Sequence, residues 1–163
     1  MATPNNITRL LDAKKIAYAV FELPAEKLGA RETARLLKVD PEVVYKTIVI
    51  TRTKGKPILA VIPGPNRVDL KRLASALGEK KVNLPTEREA EALTGLQAGG
   101  ISPLALVNKG FQVVIDSAAK PKPTIHVSGG QRGLNIRLPV QALAELTHAR
   151  FAEVSLPDAD DSD

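Results

Sequence analysis

Residues 45–63, YKTIVITRT-KGK-PILAVIP, constrain the fold most. Two runs rich in β-branched and aliphatic residues flank a short glycine-containing loop, the pattern of a β-hairpin. The first run reads as a buried strand, yet it carries a lysine. With period-two alternation, Val44, Lys46, Ile48 and Ile50 fall on one face. An ammonium on an aliphatic face has three options: its stem snorkels to water, a carboxylate pairs with it, or it faces a cavity that holds a ligand.

The remaining elements are mixed rather than regularly alternating. Residues 5–16 have apolar positions near helical spacing with an asparagine available as cap, and residues 17–23 alternate like a strand. Residues 29–39 read as a helix, and Asp40-Pro41 as a cap and first-turn proline opening a short turn. Asp69 is placed to cap a helix over 70–78 that stops at Gly78. Thr86 and Glu89 form a capping box for a helix ended by Gly95, and 96–106 is a loop. Three strands are expected at 111–117, 124–130 and 134–139, then a helix at 140–146 and an edge strand at 149–155. Strands outnumber long helices, so the expected class is α+β with a curved mixed sheet. With no repeat and no low-complexity linker, residues 1–155 are expected to form one domain.

Composition removes several kinds of chemistry. The 163 residues contain no cysteine and two histidines, His126 and His148. Disulfides, thiolate nucleophiles, Cys-ligated zinc and multi-histidine metal sites are therefore excluded. Aromatics are 3% of the chain, too few for base-stacking platforms. No apolar run approaches the ~20 residues of a membrane span, and no signal peptide opens the chain, so the expected compartment is the cytoplasm. The net charge is +5, but residues 156–163 hold four aspartates and no base. That end is expected to be a solvated, disordered acidic tail. Residues 1–155 thus carry 23 bases against 14 acids, a surplus that suits a polyanionic partner or a solubilising surface.

Two glycine pairs join Lys46 as candidates. In AGGISP, residues 98–103, Gly99 and Gly100 leave backbone N–H groups uncovered, a nest suited to a phosphate or an oxyanion, and Ser102 adds a hydroxyl before Pro103. In SGGQRG, residues 128–133, Gly129 and Gly130 follow Ser128, and a plain hairpin turn accounts for them equally well. Neither pair has the spacing of a phosphate-binding loop with its lysine or of a dinucleotide fingerprint. No Ser-His-Asp spacing is present, and His126 reads as a packed or surface residue. An enzyme built from this inventory has to work through positioning, backbone donors and its substrate's own groups.

The segments DPEVVYKTIVI, DLKRLASALGEKKV, TGLQAGGISPLAL, VVIDSA and TIHVSGGQRGLNI occur in the order found in the YbaK/EbsC family, the bacterial Cys-tRNA(Pro) deacylases related to the editing domain of bacterial prolyl-tRNA synthetases. The chain resembles that family over residues 5–152. The resemblance implies a barrel-like mixed sheet with helices outside, and a trans-editing hydrolase that removes a wrong amino acid from the 3′-terminal ribose of tRNA. The implied partners are the acceptor end of an aminoacyl-tRNA and, for selectivity, prolyl-tRNA synthetase; no cofactor or metal is expected from the residue inventory, and a monomer is the default expectation. The family's lysine matches Lys46, beside Thr47; its first loop matches Gly99, Gly100, Ile101 and Ser102; its second matches Ser128, Gly129 and Gly130. On this reading Lys46 contacts the terminal adenosine or the ester, N–H groups around Gly100 hold the oxyanion, and the cysteinyl thiol attacks its own ester.

Two departures bear on the substrate. Asn135 stands where family members often carry aspartate, and FELPAE, residues 21–26, shortens a stretch that often contains Tyr and His. Cysteine is the first expectation for the edited amino acid, with serine, threonine, alanine or a non-protein amino acid as alternatives. A non-catalytic tRNA- or synthetase-binding module and a hydrolase for another acyl ester are the rival readings.

Overall fold

The computed structural model describes residues 5–158. Helix α1 (Asn6–Ala13) begins where Asn5 Oδ1 accepts the Thr8 N–H at 2.9 Å and Thr8 Oγ1 accepts the Asn5 N–H in return. It ends earlier than the pattern over 5–16 suggested, because Lys15 takes a left-handed φ of 57°. Strand β1 (Ala19–Glu22) leads to α2 (Ala30–Leu37). Asp40 caps a single 3-10 turn, Pro41–Val43, as expected. The hairpin is β2 (Tyr45–Arg52) and β3 (Ile58–Pro63).

After a short β4 (Asn66–Val68), Asp69 accepts from Lys71 and Arg72 at the start of α3 (Leu70–Leu77), and Gly78 closes it in the left-handed region. Strand β5 (Val82–Asn83) precedes α4 (Glu87–Thr94), whose Thr86–Glu89 capping box is formed. Then follow β6 (Gln112–Asp116), β7 (Thr124–Ser128), β8 (Leu134–Pro139), α5 (Val140–Thr147), β9 (Arg150–Ala152) and β10 (Ser155–Pro157).

The fold is α+β, and its strands form three ladders rather than one curved sheet. A five-stranded sheet has the order β5-β2-β3-β6-β9, antiparallel around β2 and parallel from β3 to β9. An antiparallel sheet has the order β1-β8-β7, and β10 pairs with β4. One parallel bridge, Val44 to His126, ties the two larger sheets together where β2 begins.

Burial explains the continuous apolar runs. One face of the five-stranded sheet presents Tyr45, Val49, Leu59, Val61 and Ile115 to Ile125, Ile136 and Leu138 of the three-stranded sheet, with α1 and α5 closing the layer through Leu11 and Leu143. The other face packs Ile50, Ile58, Ala60 and Ile62 against Leu73 and Ala74 of α3. Strand β3 is therefore buried at every residue. Each fully buried Leu or Ile contributes about 1.5–3 kcal/mol.

The edge strand expected over 149–155 is split. β9 lies at the edge of the large sheet, while β10 turns away to pair with β4. Ordered structure thus runs through Pro157, beyond the domain limit expected at 155, and the Asp158 N–H donates to the Pro65 carbonyl at 3.1 Å. The rest of the acidic tail, 159–163, lies outside the described residues.

Candidate active site

Near the start of β2, where Val44 bridges to His126, residues of both larger sheets line a cleft of about 310 Å³. Lys46 is half-buried in its wall. On its face of the strand, Ile48 and Ile50 belong to the cluster under α3, and Val44 belongs to a separate small cluster with Ala30 and Ala34. The cleft occupies the gap between these clusters. The Lys46 ammonium has no hydrogen bond or ion pair among the described residues. Of the three options for an ammonium on this strand, pairing with a carboxylate is not the one observed.

The glycine loops converge. Arg132 Nε donates to the Ala98 carbonyl at 2.6 Å, linking residues 128–133 to residues 98–103. A Cβ on Gly100 would meet Gln131 Cα at 2.7 Å, so only glycine permits this approach of two backbones. Lys46, Thr47, Gly99, Ile101, Ser128 and Asn135 all line the cleft.

Four expected site residues stand behind that wall. Gly100 is buried, and its N–H donates to the Gln97 carbonyl at 2.8 Å, so it has no proton left for an oxyanion. The neighbouring N–H groups of Gly99 and Ile101 make no hydrogen bond among the described residues. The Gly129 N–H donates to Leu134, and a side chain there would strike Leu134 at 2.7 Å. Gly130 donates to Ser128 Oγ at 3.2 Å and packs on Ile7. Ser102 is fully buried, and its Oγ accepts the Leu104 N–H to cap the 3-10 turn Pro103–Leu106. These four shape the loops; the three glycine N–H groups and the Ser102 hydroxyl oxygen are engaged internally.

Asn135 is buried, and its Oδ1 accepts from His126 Nδ1 at 2.8 Å. His126 lies against Phe21, ring centroids 5.4 Å apart. Burial holds its pKa below the ordinary histidine value, opposed by the Asn135 hydrogen bond and assisted by the nearby Arg137 charge. The imidazole is thus a packed group whose burial disfavours the charged form.

The other wall was legible from sequence only at FELPAE, residues 21–26, and not at Lys27, Leu28 or residues 84–87. It comprises the loop from Leu23 to Leu28 and the segment from Leu84 to Glu87, where Lys27 Nζ and Glu87 Oε2 form an ion pair at 2.5 Å. Leu84 is 62% exposed at this rim. Tyr45, also lining the cleft, has a buried hydroxyl without a hydrogen-bond partner among the described residues. Burial, together with the Asp116 and Glu42 charges, raises its pKa well above the usual phenol range. Among the described residues no group of three His, Cys, Asp or Glu is arranged to hold a metal, and no helix is long and apolar enough to cross a membrane.

Comparison with known proteins identifies the family. The sequence profile of the aminoacyl-tRNA editing domain matches residues 25–146, a span that includes both glycine loops and β2. An Enterococcus faecalis protein, provisionally named the Cys-tRNA(Pro)/Cys-tRNA(Cys) deacylase EbsC, is 36% identical over 152 residues, 92% of each chain. A proline–tRNA ligase of Pelobacter propionicus is 22% identical over 130 residues, covering 80% of this chain but 22% of the ligase. Among solved structures, one described provisionally as a trans-editing enzyme for prolyl tRNA synthetase has a TM-score of 0.79 at 25% identity, covering 95% of this chain and 99% of that one. A hypothetical protein superposes with a TM-score of 0.85 at 24% identity, over 93% and 100% of the two chains. The chain belongs to the aminoacyl-tRNA editing domain family, in its YbaK/EbsC branch.

Proposed function

We propose that the protein is a trans-editing deacylase that hydrolyses the ester of a mischarged tRNA(Pro), with Cys-tRNA(Pro) as first substrate. The observation that carries this reading is the half-buried, unpaired ammonium of Lys46 in the same cleft as the unbonded N–H groups of Gly99 and Ile101. A cation and two backbone donors suit a phosphate-bearing 3′ end whose ester carbonyl gains negative charge.

The role first expected around Gly100 moves to its neighbours. Lys46 holds the terminal nucleotide or the ester, and Gly99 and Ile101 donate to the oxyanion; one such donor is worth about 2.7–4 kcal/mol of barrier. Thr47, Ser128 and Asn135 bound the amino-acid side of the cleft. With a cysteinyl substrate the thiol sulfur bonds to the carbonyl carbon, the ribose oxygen leaves with the thiol proton, and water then opens the resulting thiolactone. No protein nucleophile, metal or cofactor is needed for these steps.

The two larger sheets, joined at Val44 and His126, are read as an incomplete barrel with helices outside, built as one domain through Pro157. The protein acts as a monomer in the cytoplasm and draws tRNA(Pro) selectivity from prolyl-tRNA synthetase.

A panel of tRNA(Pro) charged with cysteine, serine, threonine, alanine or proline tests the reading. Release of cysteine well above the buffer rate, with proline retained, supports it. Tight binding without release of any amino acid supports a non-catalytic module instead.

A further inference from the structure

We infer that five lysines at the far end of the large sheet form a docking rim for the phosphates of the paired tRNA stem. The inference rests on the proposed tRNA substrate but concerns a surface outside the cleft. Four strand ends meet at this rim. Lys54 and Lys56 flank Gly55 at the tip between β2 and β3; Lys80 and Lys81 precede β5, which pairs beside the end of β2; Lys109 precedes β6, which pairs beside the start of β3. All five residues are exposed, and none of their ammonium groups forms an ion pair or hydrogen bond among the described residues. Lys56 Nζ sits 5.5 Å above the Phe111 ring and covers it.

The rim is built rather than incidental, because Arg52 braces it from beneath. Its side chain is only 14% exposed. Its Nε donates to the Lys56 carbonyl at 2.8 Å, and its Nη1 donates to Gln112 Oε1 at 2.7 Å and lies 3.5 Å from Glu79 Oε2. One guanidinium therefore fixes the hairpin tip, the start of β6 and the approach to β5 together. It also neutralises Glu79, the acid nearest the lysines in sequence. Gly55, at φ 92°, lets the tip fold over the guanidinium.

The partner follows from the chemistry. Compact ammonium charges spread along four strand ends suit repeated phosphates. Thr53, Gly55 and Pro57 around the tip offer no large apolar side chain to enter a lipid surface, so the rim fits a nucleic acid better than a membrane. Arg52 lies six residue steps along β2 from Lys46, a span of about 20 Å. An acceptor end seated at Lys46 extends its stem away from the cleft, and a rim at this distance meets the stem rather than the reacting ester.

The test compares the K54Q/K56Q/K80Q/K81Q/K109Q variant with wild type. The formal net charge is +5, so a control removes as many charges elsewhere: K14Q/K15Q/K38Q/R67Q/K71Q. Uncharged tRNA(Pro) binding is titrated against salt by fluorescence anisotropy. The rim variant is expected to bind about 10- to 100-fold more weakly at ~0.1 M salt. The slope of log affinity against log salt should become shallower by about one per lost phosphate contact. The control should change far less. In deacylation, the rim variant should raise KM for full-length tRNA and leave turnover of a short aminoacylated CCA oligonucleotide unchanged.

Equal losses in the two variants, or no loss in the rim variant, overturn the rim while leaving the deacylase reading intact. Rim-specific loss of tRNA binding by a protein that releases no amino acid upholds the rim and defeats that reading. Rim-dependent binding to phosphatidylserine vesicles without rim-dependent tRNA binding overturns the inference in favour of a membrane.

Discussion

The imidazole of His126 donates from Nδ1 to Asn135 Oδ1 across 2.8 Å, both side chains buried. A neutral amide thus accepts from the ring. Asn135→Asp should convert this contact into an ion pair and raise the His126 pKa by about one unit or more. An NMR titration of the ring protons reads this directly. An unmoved titration contradicts the pairing.

The same burial makes folding pH-dependent. The His126 pKa is lowered in the folded protein, so the unfolded chain binds more protons as pH falls through the ordinary histidine value of 6.5. Stability from this residue is present at higher pH and is lost as pH falls through 6.5 towards the lower folded value. Urea midpoints at pH 8 and pH 5.5 should fall further for wild type than for His126→Gln. The difference is bounded at about 1.4 kcal/mol per pH unit. Identical pH profiles contradict a neutral buried histidine.

How much of this was legible in sequence depended on locality. Asn5, Asp69, Thr86 and Gly95 act through bonds to residues a few positions away, so their roles could be read from spacing alone. Lys46 was legible because alternation exposed its odd neighbours. Gly100 was found, but its role was not, because the competing acceptor is the Gln97 carbonyl and the close neighbour is Gln131, contacts set by the loop's path. The Lys27–Glu87 wall joins residues sixty positions apart and left no local signal. The three-sheet division escaped for the same reason: β4 and β5 are three and two residues long, and their pairing with β10 and β2 is decided by tertiary packing.

Gly100 supports the site by lacking a side chain. Gly100→Ala places a Cβ 2.7 Å from Gln131 Cα and 2.9 Å from its carbonyl carbon, neither of which can rotate away. The loops must separate, at a cost of about 1–3 kcal/mol. A lower denaturation midpoint together with reduced deacylation is expected. A variant as stable and active as wild type contradicts the close contact.

Tyr45 carries a buried hydroxyl with no hydrogen-bond partner among the described residues. Tyr45→Phe removes an unpaired polar atom and keeps the ring, so stability should hold or rise by about 1 kcal/mol. Chemical denaturation decides the matter. A loss of similar size shows that the hydroxyl has a partner in solution.

Lys46→Ala is the most direct test, measured as kcat/KM for Cys-tRNA(Pro) alongside the melting temperature. Its ammonium has no partner among the described residues, so melting should be unchanged within a degree or two. Loss of the cleft's contact to substrate should lower kcat/KM by about 100-fold, equal to about 2.7 kcal/mol of transition-state stabilisation. Turnover within threefold of wild type, in a variant that melts normally, would contradict the claim that this amine holds the substrate.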